Sequence, residues 1–104
     1  VPDFEALIDI YKQTGVIERV LGPLYGRMEI HTAQGPAWLF HKTCYDELSL
    51  SKLLSENGFE EATRWDWRET EHASVDDHSQ AYFPHMDKAN GRLVSLNLQA
   101  RRNP

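Results

Sequence analysis

The chain has 104 residues and a mass of 12.0 kDa, enough for one small domain over residues 1–104 and too little for two hydrophobic cores. Hydrophobic residues at 40% and charged residues at 26% match ordinary globular domains and exclude a chain too polar to fold. The formal net charge of -5 argues against a protein that neutralises a phosphate backbone, since that binding needs clustered Lys and Arg, so nucleic acid is not an expected partner.

Cys44 is the only cysteine, which rules out an internal disulfide and any cysteine-based zinc motif and fits a reducing, cytoplasmic setting. No run of 18 apolar residues and no charged-then-apolar leader occurs in the sequence, so a membrane is not an expected partner either. The chain begins at Val1 and not at Met, and the expectation is a piece of something longer. Arg101 and Arg102, the only local basic cluster, read as a solvated tail.

Helix one is expected from Asp3 to Thr14: Pro2 suits a helix start, Asp3 and Glu5 suit the positive end of the helix dipole, and Phe4, Leu7, Ile8 and Tyr11 share a face. Gly15 ends it. Val16, Ile17, Val20, Leu21 and Leu24 trace a second helical stripe, broken by Gly22, Pro23 and Gly26. Gln34-Gly35-Pro36 reads as a turn between extended pieces at Met28 to Thr32 and Ala37 to His41. Asp46 is a good N-cap for a third helix, with Leu50, Leu53 and Leu54 as its buried stripe and Asn57-Gly58 as its stop. Alternation in Glu61 to Trp67, and again in Arg92 to Ala100, predicts two strands. The fold class is therefore α+β, with two or three helices covering a small antiparallel sheet.

Between those strands lies a connection of about 24 residues, and such a length inside a small domain marks either function or disorder. The stretch WDWRETEHASVDDHSQAYFPHMDK holds His72, Asp76, Asp77, His78 and His85, all potential metal ligands. The gaps of six and seven between the histidines do not match helical or finger-type metal spacing, so a solvated acidic loop or hydrogen-bonded histidines is the favoured reading and no metal is assigned. His78 with Asp76 or Asp77 offers a histidine–carboxylate pair suited to general base work. Trp65 and Trp67 flank Asp66; packing beside the strand is favoured for them over an exposed stacking face. Cys44 lacks a local base and reads as a small buried residue.

Taken in order, VPDFEALIDIYKQTG, the break GPLYG, FHKTCYDELSLSKLLSENGFEEATRWDWRETEH and DDHSQAYFPHMDKANGRLVSLNLQA together resemble the C-terminal half of a class I S-adenosylmethionine-dependent methyltransferase. The likeness is greatest to a bacterial subgroup of small-molecule methyltransferases, and SQAYFPHMDKANG is its most particular run. The resemblance implies a seven-stranded sheet in which the seventh strand runs antiparallel between the fifth and sixth. Val1-Pro2 would be the tail of the fifth strand, Glu61 to Trp67 the sixth and Arg92 to Ala100 the seventh.

The family grips its cofactor with a glycine-rich turn after strand one and an acidic residue ending strand two. Neither is present, and G-x-G occurs nowhere in the chain, so no cofactor is expected to bind here although the complete family uses S-adenosylmethionine. The resemblance also implies that the loop before the seventh strand and the segment from Arg27 to Cys44 face the acceptor, which makes His41, His78, Tyr82 and His85 the substrate-side candidates. The expected function is the substrate-side half of such an enzyme, inactive alone. The alternative is a stand-alone module for a small ligand or a protein partner, with metal binding through the His/Asp-rich loop as one form of it. Loss of the neighbouring half would bare a strand edge, and a homo-oligomer formed through Arg92 to Ala100 is expected.

Overall fold

A computed structural model of the protein describes residues 1–75 and 77–104, with all their side chains except those of Met28 and His78. The fold is α+β: three helices and small antiparallel pairs of strands. Helix α1 (Phe4–Thr14) starts at Asp3, whose extended backbone caps it, and ends at Gly15, where φ is 67° and the amide donates to the Tyr11 carbonyl. Its buried face is Ala6, Leu7 and Ile10. Helix α2 (Glu18–Tyr25) packs against α1 and runs through Gly22 and Pro23 to stop at Gly26. Proline in the last turn removes one backbone donor but leaves the earlier turns intact, so the break falls later than expected.

Strands β1 (Met28–Thr32) and β2 (Gly35–Leu39) form an antiparallel hairpin with Thr32 opposite Gly35. The hairpin packs chiefly on itself, and Trp38, Leu39 and Phe40 are about half exposed. Helix α3 (Glu47–Glu56) opens with a reciprocal cap: the Asp46 carboxylate accepts from the Ser49 amide while the Ser49 hydroxyl accepts from the Asp46 amide. This cap, more than burial, secures the helix, because Leu50 and Leu54 are only half-buried and Leu53 is exposed.

Strand β3 (Phe59–Arg64) begins earlier and ends sooner than the sequence predicts, and a bulge with Glu61 at φ 56° interrupts its register with β6 (Leu98–Arg102). Trp67 opens a tight 3₁₀ turn and is not in a strand. Arg92 to Ala100 is likewise not one uniform strand. Its start, β5 (Arg92–Leu93), pairs with β4 (Tyr82–Phe83), and its end is β6. Residues 94–97 between them are buried throughout.

That buried run holds the molecule together. On one side the Asp3 amide donates to the Val94 carbonyl at 2.8 Å and the Leu96 amide to the Val1 carbonyl at 2.7 Å, an antiparallel bridge centred on Pro2 and Ser95. The Val94 amide donates to Ala81, and the Trp65 amide donates to the Asn97 carbonyl at 3.1 Å. Ser95 and Asn97, the polar positions of this alternating run, are buried and bonded: Ser95 donates to the Asn97 side chain at 2.7 Å, and Asn97 donates to the Ser79 carbonyl at 2.8 Å. Over residues 92–96 the edge invoked for self-association is therefore taken up by the chain's own residues 1–3 and 81–83, whereas among the described residues β6 pairs with β3 on one side alone.

The apolar core is Leu7, Ile10, Val20 and Val94, with Leu24, Ala81 and Phe83 against it. It is small, and the radius of gyration of 15.3 Å exceeds the roughly 13 Å of a compact domain of this length because the hairpin stands off the body. Among the described residues no helix is long and apolar enough to cross a membrane. Leu7 is 2% exposed and Leu48 is 80% exposed; Leu7→Ala is expected to lower the unfolding free energy by about 3 kcal/mol and Leu48→Ala by less than about 0.5 kcal/mol. Urea denaturation of both variants checks this contrast.

Candidate functional site

A surface pocket of about 460 Å³ lies at the carboxyl end of β3. Arg64, Trp65, Asp66 and Arg68 wall it on one side. Tyr82 and the segment that turns back into β5, from Lys88 to Leu93, supply the other. Gly91 makes that return possible, since a Cβ there would lie 2.5 Å from the Asp87 carbonyl oxygen and 2.7 Å from that of Phe83.

Two aromatic rings in edge-to-face contact, Tyr82 in the lining and Trp67 behind it, underlie the pocket. Trp67 is buried, donates its indole N–H to the Tyr82 hydroxyl at 3.2 Å and meets the Tyr82 ring edge-on at 6.4 Å. The Arg68 guanidinium lies 4.6 Å from the Trp67 ring and 5.8 Å from that of Tyr82, and the Lys88 ammonium lies 5.2 Å from Trp67. The negative faces of the rings attract both cations and hold them at the rim. Arg64 is differently placed: it donates to Glu47 at 2.8 Å and to Asp3 at 3.2 Å, tying α3 and the start of α1 to the end of β3. The Glu47 hydrogen bond, with a smaller part from Asp3, raises the Arg64 pKa.

Beside the pocket the long connection is organised as a series of capped turns. Thr70 accepts from the His72 amide, and Asp77 opens the turn His78–Gln80. Asp77 Oδ1 accepts from the Ser79 hydroxyl at 2.5 Å and from its amide at 2.9 Å, while Oδ2 faces His72 Nδ1 at 2.7 Å. These hydrogen bonds, that of the Ser79 hydroxyl first and that of His72 next, hold the Asp77 carboxyl down from 3.8 to about 2. An ionised carboxylate only accepts, so Nδ1 of His72 donates. The His72 ring lies 5.1 Å from that of Trp65, a pocket wall.

Gln80 is fully buried. Its amide nitrogen donates to the His72 carbonyl at 2.6 Å and to that of Val75, and its oxygen accepts from Lys88 at 2.6 Å.

Of the four substrate-side residues expected from the sequence, only Tyr82 lines the pocket. His41 is exposed at the junction of α2 and the hairpin; its amide donates to Tyr25, its Nδ1 to the Leu24 carbonyl, and its ring occupies the space a side chain at Gly26 would need. His85 is exposed on the turn after Pro84 and is not a pocket residue. His78 begins a 3₁₀ turn, and its side chain lies outside the described residues, as does Asp76. The histidine that meets Asp77 is His72, five positions earlier. The signal in the sequence was Asp77-x-Ser79, an Asx-type cap that commits one carboxylate oxygen to the following turn and turns the other outward. Among the described residues no three His, Cys, Asp or Glu side chains gather in a way that could hold a metal ion.

Comparison of the chain with protein-family models, with curated proteins and with solved structures gives no match in any of the three.

Because the Asp77 pKa is depressed on folding, its ionisation favours the folded arrangement fully above 3.8, and that contribution is lost as pH falls through about 2. Carboxyl-carbon NMR is expected to give Asp77 a midpoint near 2 and to move it toward the ordinary value in Ser79→Ala. An ordinary midpoint in the unmodified protein would mean that the cap does not form in solution.

Proposed function

We propose that this chain is the substrate-side part of a class I S-adenosylmethionine-dependent methyltransferase, without methyl transfer of its own. The observation that carries the reading is the strand order. Residues 94–96 bond on one side to residues 1–3, and the following β6 pairs with β3, both antiparallel; the resemblance implies that order for the fifth, seventh and sixth strands. The pocket supports it too, because ligands of sheets flanked by helices sit outside the carboxyl ends of the strands, and this pocket opens at the carboxyl end of β3. In this reading Trp65 and Tyr82 border the acceptor, and the His72–Asp77 pair packs behind the Trp65 wall.

The donor-binding elements belong to the other half, so the 104-residue chain is expected to give no binding heat with S-adenosylmethionine by titration calorimetry. The reading frame upstream of Val1 is expected to encode a strand, a glycine-rich turn and a helix. Tight donor binding by this chain, or an upstream frame without that unit, would overturn the proposal.

A second reading, a stand-alone binding module, is favoured by one observation: aromatic and basic side chains, Trp65, Tyr82, Arg68 and Arg92, line one pocket. It predicts a saturable ligand without any donor half. A cytoplasmic setting and self-association complete the proposal. With the strand edge occupied over residues 92–96, the surface for self-association is the exposed apolar group of Tyr25, Trp38, Leu39 and Phe40 on and beside the hairpin, with the outer edge of β6 as the alternative. Light scattering at high concentration is expected to give a mass above 12.0 kDa, and a single-chain mass at all concentrations counts against self-association.

A further inference from the structure

The chain carries a net charge of -5, yet its pocket is bordered by Arg64, Arg68, Lys88 and Arg92 with Asp66 as the one carboxylate among the lining residues. Cations gathered in one concavity of an acidic protein focus a positive field there. They differ in what they have left to offer. Arg64 is committed to Asp3 and Glu47, and Lys88 is engaged by Gln80.

Arg68 is half exposed and spends one N–H on the Lys88 carbonyl at 2.8 Å; its contact with Asp66, at 4.0 Å, is beyond hydrogen-bond range. A guanidinium is planar and has five N–H donors, so Arg68 retains a donor fork beyond the N–H it gives Lys88, and attraction to the Trp67 ring 4.6 Å away holds it there. Arg92, 48% exposed, pairs with Asp9 at 3.1 Å. Such a solvent-facing pair is worth about 0–1 kcal/mol, so an incoming anion can share or replace Asp9. Trp65, Tyr82 and Leu93 add apolar surface to the same pocket.

We propose that this pocket binds a small ring-bearing molecule through an oxyanion, a carboxylate or a phosphate monoester, gripped by Arg68 and Arg92 while its ring lies against Trp65. The planar fork suits the paired oxygens of either anion, and the aromatic wall suits a flat or sugar ring. This deepens the substrate-side reading and rests on it for the ligand's role as acceptor, while the binding itself rests on the pocket.

The test is an NMR titration of the protein with benzoate, phenyl phosphate, inorganic phosphate and the neutral benzamide. At least one of the two ring anions is expected to give saturable shifts at the Trp65 indole N–H and the Arg68 side chain, and the two arms separate carboxylate from phosphate. Arg68→Gln, and independently Arg92→Gln, is expected to weaken binding roughly tenfold or more, with the dispersed spectrum of each variant reporting that it is folded. Benzamide binding as tightly as benzoate, neither ring anion shifting these signals, or full affinity retained in both variants would overturn the oxyanion site. Inorganic phosphate binding as tightly as phenyl phosphate would overturn the ring-bearing class. Donor binding by the chain would sink the substrate-half reading and leave this site standing, whereas failure of both ring anions would do the reverse.

Discussion

The structure depends on the backbone of residues 94–97. Four buried residues in succession, two of them polar, are tolerable only if every amide and carbonyl has a partner and the polar side chains satisfy one another. Val94 and Leu96 exchange hydrogen bonds with residues 1–3, the Val94 amide also donates to the Ala81 carbonyl, and the Asn97 carbonyl receives the Trp65 amide. The polar side chains are bonded as well, Ser95 to Asn97 and Asn97 to the Ser79 carbonyl. One short segment thus draws together the start of α1, the end of β3 and the long connection, although these are far apart in the chain. Val94 in addition contributes its side chain to the core that α1 and α2 cover.

The pocket is a consequence of the same convergence. Where β3 ends and β5 begins, the two segments separate, and the turn at Trp67 drops a buried ring behind the gap. Tyr82 meets that ring from the other side. With an aromatic base in place, the flanking basic side chains settle over the rings and stay near the opening, which gives an acidic protein a locally positive recess. Arg64 stands apart from this pair. It braces α3 and the first residues of the chain, so its charge is spent on architecture.

The three helices were legible in the sequence because their signals are local: Asp3 and Gly15 bracket α1, and the Asp46–Ser49 cap and Asn57-Gly58 bracket α3. The two predicted strands were legible as well, since alternation marks a strand wherever it falls, while their pairing was only implied by the resemblance. Their exact extents were not. Ser95 and Asn97 look like outward residues by period, and only the arrival of residues 1–3 and 79 puts them inside. The site was less legible still. Tyr82 was found through its place in the chain, while the partnership of His72 with Asp77 depends on a turn at Ser79 that redirects a carboxylate oxygen, and the basic rim depends on residues 64, 68, 88 and 92 meeting in space. No spacing rule brings those four numbers together.

The buried amide of Gln80 gives the long connection a property that its length conceals. Both hydrogens of that amide hold carbonyls from the stretch ahead of it, and its oxygen holds the lysine of the stretch behind. A segment that would otherwise sample many conformations is fastened at its middle from both directions. The freedom that a loose loop surrenders when it closes on a guest has here been surrendered during folding, so a molecule entering beside it meets a wall already set, and little of its contact energy is consumed in ordering the host.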